Sequence, residues 1–306
     1  MRIEAYMAAR VLAVDRALPR FIGGLRARPR LARAMNYSLC AGGKRLRPAL
    51  MCAAYETFGG DSGEILPAAC AIEMVHTYSL IHDDLPAMDD AALRRGRPAN
   101  HKVYGEAAAL LAGDALLTDA FTVMLSAKYP PRVKAPRLLR AAAILAGRAG
   151  AAGMVSGQAA DLEAEGFLDR APAARRGRAL RLLSYIHRRK TACLITAAVE
   201  MGAALAGAPE KDFRALSAFG RDLGLCFQAA DDILDVSGDR KKLGKNASDA
   251  RNRKLTYAAL LGMEEARRRA GALLRSALRS LARVKGRDKP RALLADLAGL
   301  VLRREN

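Results

Sequence analysis

The sequence predicts an all-α protein, a helical bundle folded as one domain. Three observations carry that prediction. Alanine, leucine and arginine dominate the chain, and all three are good helix formers. Apolar residues recur at spacings of three and four along most of its length. The stretches between are short turn-like breaks, and no linker, composition shift or internal repeat divides the 306 residues, so residues 1–306 are read as one domain.

In order, the helical pattern covers residues near 4–18, 31–40, 45–58, 64–82, 106–127, 134–160, 175–205, 211–236, 252–260, 263–280 and 289–303. The breaks are "GGDSGE" at 59–64, "RRGRPAN" at 94–100, "KYPPRV" at 128–133, "GAPE" at 207–210 and "SGDRKKLGKN" at 237–246. Residues 137–160 and 180–205 are apolar around much of the helix circumference, as expected of helices buried inside a bundle.

A composition of 51% hydrophobic and 27% charged residues excludes a disordered chain. The opening "MRIEAYMAARVLAVDRALPRF" carries Glu4 and Asp15 inside its apolar pattern and lacks the features of a secretory signal. No uninterrupted run of 18 apolar residues occurs, so no transmembrane span and a cytoplasmic location are expected. The five cysteines, at 40, 52, 70, 193 and 226, form no C-x-x-C pair and read as reduced core residues. A net charge of +20 attracts polyanions in general. Zinc-finger spacing, an RNP-like aromatic string and tryptophan are all missing from the sequence, so no nucleic-acid partner is expected. An anionic substrate suits the charge better.

Against that basic background two acidic clusters stand out. The first, Asp83, Asp84, Asp89 and Asp90 in "IHDDLPAMDD", ends the apolar helix "AIEMVHTYSLIHDD". Pro86 interrupts the helix there, and the break brings residues 83 and 89 together. The second, "FQAADDILDVSGD", puts Asp231 and Asp235 on one helical face, with Asp232 beside them and Gln228 a turn earlier. Carboxylates among apolar residues need a counter-charge. Arginine pairing is the plain answer, but two clusters at the ends of apolar helices ask for something more concentrated. An all-oxygen ligand set favours magnesium, which bridges carboxylates to substrate phosphates. His82 stays open between ligand, support and packing.

Basic residues flank the acids. Lys44, Arg45 and Arg47 follow Gly42 and Gly43, and Arg94 and Arg95 follow the first cluster. Lys190 and Thr191 end "SYIHRRKT", while Lys245 and Lys254 follow the second cluster. The P-loop pattern is missing. Bases placed around acids suggest a substrate with several phosphate charges, shared between metal and cationic side chains.

These residues resemble the trans-type short-chain prenyl diphosphate synthases, the farnesyl and geranylgeranyl diphosphate synthase group. The matching motifs are "GGKRLRP" at 42–48, "HDDLPAMDD" at 82–90, "LRRGRP" at 93–98, "GQAADLEAEG" at 157–166, "KT" at 190–191 and "FQAADDILDVSGD" at 227–239. The resemblance implies a polyprenyl synthase domain of helices around a deep central cavity, usually homodimeric, with three magnesium ions. It implies Asp83 and Asp89 as ligands of two ions and Asp231 of the third, with Asp84, Asp232 and Asp235 completing or supporting the sites. By the same likeness Arg94, Lys190 and Lys254 grip the allylic diphosphate, with Lys245 close by. Lys44, Arg47, His76 and Arg95 bind the diphosphate of isopentenyl diphosphate. Thr191, Gln228 and the backbone near Lys190 face the allylic cation.

The implied reaction is head-to-tail condensation of isopentenyl diphosphate with dimethylallyl and then geranyl diphosphate. Tyr78 beside the small Ser79 resembles the bacterial farnesyl pattern, in which an aromatic floor stops the chain at C15. Geranylgeranyl diphosphate is the alternative product. Three departures are visible: Ala91 and Ala92 replace acids common before the "LRRG" stretch, Ala159 and Ala160 stand where bulkier residues are usual, and "GKNASDARNRKLTY" at 244–257 is slightly unusual while keeping Lys245, Asp249 and Lys254. A non-catalytic partner subunit of a heteromeric synthase is the alternative from another class, and the intact aspartate sets argue against it.

Overall fold

The computed structural model describes residues 2–165, 176–237 and 255–302. Its helices are α1 (Ile3–Gly24), α2 (Pro29–Leu39), α3 (Leu46–Thr57), α4 (Leu66–Asp83), α5 (Asn100–Tyr104), α6 (Glu106–Ser126), α7 (Ala135–Ala149) and α8 (Met154–Glu163). There follow α9 (Arg176–Ile186), a π turn (His187–Thr191), α10 (Ala192–Ala206), α11 (Glu210–Ser237), α12 (Tyr257–Leu261), α13 (Met263–Leu281) and α14 (Asp288–Leu302). The only strands among the described residues are β1 (Leu93–Arg94) and β2 (Arg97–Pro98), an antiparallel ribbon pairing Leu93 with Pro98 and Arg94 with Arg97. The all-α expectation is met.

Local chemistry sets the helix limits. Pro29, Pro67 and Pro136 occupy first turns, where a missing N–H costs nothing. Asp61 and Glu64 form a reciprocal capping box on the short 3-10 turn before α4. Gly207, left-handed at φ 72°, closes α10.

The bundle is organised around α10, whose residues 192–205 are all buried. It packs on α3, α7 and α11. Small residues let the backbones close in. A Cβ on Gly202 would lie 2.2 Å from the Met51 carbonyl oxygen of α3. On α11, Gly220 and Gly224 sit one turn apart against the Cα atoms of Thr196 and Ala192. The one charged side chain of α10, Glu200, is 4% exposed and fully engaged. Arg148 of α7 grips both of its oxygens, at 3.0 and 2.6 Å, and the Ser217 hydroxyl of α11 donates to it at 2.6 Å. A buried carboxylate is tolerable on those terms. A second, smaller core joins α9, α11, α12 and α13 through Leu183, Ile233, Leu255 and Tyr257.

Several expectations need correction. The apolar stretch 134–160 is two helices, broken at Gly150–Gly153, because a Cβ at Gly153 would fall 2.0 Å from the Arg148 carbonyl oxygen. Only Ala141, Ala142, Leu145 and Ala149 of α7 are buried, so its apolar surface faces the core on one side and is open on the other. The first helix runs through Pro19 to Gly24. Cys40 is exposed, while Cys52, Cys70, Cys193 and Cys226 lie in the core as expected, and all five are free thiols. Residues 106–126 and 135–163 are long and apolar enough to cross a membrane by length and composition, although the second span is divided at Gly150–Gly153 and α6 packs along α4 and carries Asp114 and Asp119.

Overpacking the α3–α10 seam should be costly. Gly202→Ala is expected to destabilise the protein by about 1–3 kcal/mol in chemical denaturation. Gly147→Ala, where a new methyl meets nothing within 4 Å, is expected to be neutral or stabilising by up to about 1 kcal/mol.

Candidate active site

A cavity of about 540 Å³ opens between α3, α4, α8, the π turn, α10 and α11. Helix α4 delivers His76, Tyr78, Ser79, His82 and Asp83 to its wall, and α11 delivers Phe227, Gln228 and Asp231. Arg47 comes from the first turn of α3, and Lys190 and Thr191 from the π turn. Met88, Met154, Val155, Leu162 and Leu194 supply apolar wall. Ten residues singled out in the sequence therefore share one cavity: Arg47, His76, Tyr78, Ser79, His82, Asp83, Lys190, Thr191, Gln228 and Asp231.

The first acidic cluster folds as the proline break demands. Helix α4 stops at Asp83, and the chain turns so that the Asp89 N–H donates to the Asp83 carbonyl at 2.9 Å. The backbones of the two presumed ligands are thereby tied together, although only Asp83 of the two lines the cavity. The Asp90 N–H donates to Leu85 O and the Ala91 N–H to Asp84 O, completing the turn. Asp84 points elsewhere. It is 2% exposed and accepts from Arg94, whose Nε lies 3.0 and 3.1 Å from its two oxygens while Nη2 also engages Oδ1. Loss of solvent pushes the Asp84 carboxyl above its usual range, with Arg94 opposing that shift. In this conformation Asp84 and Arg94 answer each other and flank a small crevice beside Arg95, outside the main cavity.

The second cluster repeats that division. Asp231 lines the cavity, and Asp232, 2% exposed, is built into a network. Its Oδ2 accepts from the Tyr257 N–H at 2.9 Å and lies 3.4 Å from His187 Nε2, while its Oδ1 accepts from the Gln228 amide at 3.1 Å. Gln228 in turn accepts the Thr191 hydroxyl at 2.6 Å. Burial lowers His187 to about 3, so it serves as a neutral imidazole. Asp235's side chain, Lys245 and Lys254 lie outside the described residues.

Lys190 and Thr191 reach the cavity because α8 approaches very closely. A Cβ on Gly157 would fall 2.1 Å from the Lys190 backbone nitrogen. The π turn carries these two residues, and such turns recur at functional sites. The Lys190 ammonium donates to Asp161 at 2.6 Å. On the basic side, Arg95 donates to the Gly42 carbonyl, and its guanidinium lies against Gly43. Lys44 is exposed beside them. His76 is held well below the usual imidazole range, by burial first and then by Arg47, Arg95, Arg45 and Arg94. It is a neutral imidazole among cations. Arg45, Asp90 and Arg95 all adopt left-handed backbone, at φ 43°, 43° and 53°. Non-glycine residues held there concentrate at functional sites.

Among the described residues no group of three or more His, Cys, Asp or Glu is gathered closely enough to hold an ion alone. The donor set still fits magnesium. Asp83 and Asp231 bring oxygen ligands from separate helices to one cavity, leaving positions for substrate oxygens, and Asp89 is held next to Asp83 through the backbone. Sequence reading missed the apolar wall of Met88, Met154, Leu162, Leu194 and Phe227, whose positions are scattered along the chain. It also missed the His187–Asp232–Tyr257 network, which joins residues 25 or more apart.

A helical bundle with carboxylates, cations and apolar wall around one cavity suits prenyl transfer, and the chain belongs to the polyprenyl synthetase family, whose model matches residues 28–295. Members of this magnesium-dependent enzyme family join isopentenyl diphosphate to an allylic diphosphate, and this chain is such an enzyme. It is 44% identical to a farnesyl diphosphate synthase of Geobacillus stearothermophilus, over 100% of this chain and 99% of that one. It is 45% identical to a heterodimeric geranylgeranyl pyrophosphate synthase large subunit of Arabidopsis thaliana, over 96% and 76%. Among solved structures, an apo FPP/GFPP synthase from Zymomonas mobilis matches with a TM-score of 0.82 at 33% identity, covering 98% of each chain. A Helicobacter pylori geranyltransferase complexed with magnesium and isoprenyl diphosphate matches at 0.77 and 33%, covering 98% and 97%.

The close approach of α8 makes a specific demand on Gly157. Gly157→Ala is expected to displace Lys190 and Thr191 and to lower turnover at least about tenfold. Circular dichroism should report retained helicity, and a steady-state assay the loss.

Proposed function

We propose that the protein is a farnesyl diphosphate synthase, condensing isopentenyl diphosphate with dimethylallyl and then geranyl diphosphate. One observation carries the reading: Asp83 and Asp231 reach a single cavity whose wall holds Tyr78, just over one helical turn before Asp83. Tyr78 is 6% exposed and meets His82 edge-on at 5.7 Å. Ser79 is fixed beside it by donation to the His76 carbonyl at 2.9 Å. A bulky ring braced in this way limits the depth open to a growing prenyl chain. The alternative, geranylgeranyl diphosphate, is kept because relatives named for either product match at 44% and 45% identity. A non-catalytic subunit is disfavoured by the intact aspartates.

In this reading Asp83, Asp89 and Asp231 are metal ligands, three magnesium ions serve each site, and Asp84, Asp232 and Asp235 support them. Magnesium, when bound, offsets the charge of the allylic diphosphate and assists its departure. Lys190, Arg94, Lys245 and Lys254 hold that diphosphate. Arg47, His76, Lys44 and Arg95 hold the second one, and a neutral His76 donates to it without adding charge. Thr191 and Gln228 turn oxygen atoms toward the allylic cation. Phe227, Leu194, Leu162 and Met88 keep water from it, since water would trap it as an alcohol. The alkene of isopentenyl diphosphate attacks C1, and a proton leaves to the released diphosphate.

We place residues 1–306 in one polyprenyl synthase domain and the protein in the cytoplasm. We propose a homodimer formed over α6, which leaves Leu110, Leu111 and Leu125 exposed.

Asp83→Ala and Asp231→Ala are each expected to cut turnover by roughly 10²–10³-fold, measured with isopentenyl and geranyl diphosphates in magnesium; full activity in either variant would remove the ligand assignment. Parent enzyme should stop at C15 and leave farnesyl diphosphate unused. Tyr78→Ala should extend the product to C20 or beyond, sized by chromatography after phosphatase treatment. An unchanged C15 limit would place the floor on another residue.

A further inference from the structure

Arg45 sits among the cations of the "GGKRLRP" motif yet faces away from the cavity. Its side chain is 0% exposed. Nη1 donates to Glu73 of α4 at 2.7 Å, Nε to Asp15 of α1 at 2.8 Å, and Nη2 to the Leu39 carbonyl at the end of α2 at 2.5 Å. Its backbone is left-handed at φ 43° and immediately precedes α3. One residue therefore ties three helices to a strained turn, with Lys44 on one side and Arg47 two positions beyond. Glu73 stands three residues before His76, about one turn along α4. Arg95 reaches the same turn from the ribbon and donates to Gly42.

We infer that Arg45, clamped by Glu73 and Asp15, is a positioning residue for the isopentenyl diphosphate subsite. It sets the Gly42–Lys44 turn so that Lys44, Arg47 and Arg95 converge beside His76. The inference rests on the subsite reading above. It assigns Arg45 no contact with substrate. Its guanidinium fork suits a clamp, because three donors in one plane serve two carboxylates and a carbonyl, which an ammonium on a flexible stem holds less rigidly.

The test uses the full chain and three variants, Arg45→Lys, Glu73→Gln and Asp15→Asn. Each is read for KM of isopentenyl diphosphate, KM of geranyl diphosphate and kcat, and for the rise in Tm produced by isopentenyl diphosphate. Arg45→Lys and Glu73→Gln are expected to raise KM for isopentenyl diphosphate about tenfold and Asp15→Asn about threefold. KM for geranyl diphosphate should stay within about twofold, and the Tm rise should shrink in step. Asp15, with its side chain 38% exposed, tolerates substitution best and carries the test if the other two variants do not fold. Equal increases in both KM values, or an unchanged KM for isopentenyl diphosphate, overturn the inference. His76→Ala separates the two levels of reading. If it raises KM for isopentenyl diphosphate while the clamp variants do not, the clamp alone fails. If it too leaves that KM unchanged, the subsite reading fails first.

Discussion

The geometry at the head of the cavity depends on how two buried carboxylates are neutralised. An ionised aspartate removed from water must be paired or hydrogen-bonded at every oxygen, or the fold gives way around it. Asp84 meets that demand with the fork of Arg94, and the pairing draws the ribbon of β1 and β2 back against the end of α4. Asp232 meets it with a backbone N–H, an amide and a neutral imidazole, and so binds α11 to α12 and to the π turn. In each pair the neighbouring aspartate, Asp83 or Asp231, is left at the cavity wall. Adjacent identical side chains thus do different work because helical geometry turns them to different environments.

The cavity is electrically divided. Asp83 of α4 and Asp231 of α11 line the cavity wall, and the charges of Arg47 and Arg95 act on His76. Burial first, and then those cations, keep the imidazole uncharged, which spares a dianionic ligand's site from an additional desolvated charge when it is empty. Below this polar layer the wall is methionine, leucine and phenylalanine. A substrate with a charged head and a hydrocarbon tail matches both layers at once, and the overall charge of +20 draws anions toward the surface before any specific contact.

The sequence exposed whatever depends on period or on a local break. Helix α10 was legible as buried from its apolar circumference, and the proline after Asp84 foretold the turn that joins Asp83 to Asp89. Resemblance pointed to Tyr78 and Lys190 as cavity residues. Features made by distant pairing were not legible. Arg45 looked like one more cation in a basic run, and only its partners at positions 15 and 73 show that it faces inward. The break between α7 and α8 was hidden because the alanines and glycines of "AGAAG" at 149–153 lie inside a longer apolar run, with no proline and no polar cluster to mark a turn. His187 read as part of "HRRK", although its ring is enclosed by Asp232 and Tyr257.

The π turn at His187–Thr191 has a consequence for how this region tolerates change in length. An α-helix advances about 100° per residue, so removing one residue from the turn would rotate α9 against α10 by roughly that angle. Helix α10 resists such a rotation, because Gly202 must face Met51 and Glu200 must face Arg148 and Ser217. Lys190 and Thr191 have fixed faces too, set by Asp161 and Gln228. Deletions and insertions here are therefore constrained by handedness and phase more than by volume. The residue count of this segment is held as firmly as the pitch of a screw, and so are the side chains of His187, Lys190 and Thr191 that its phase aims inward.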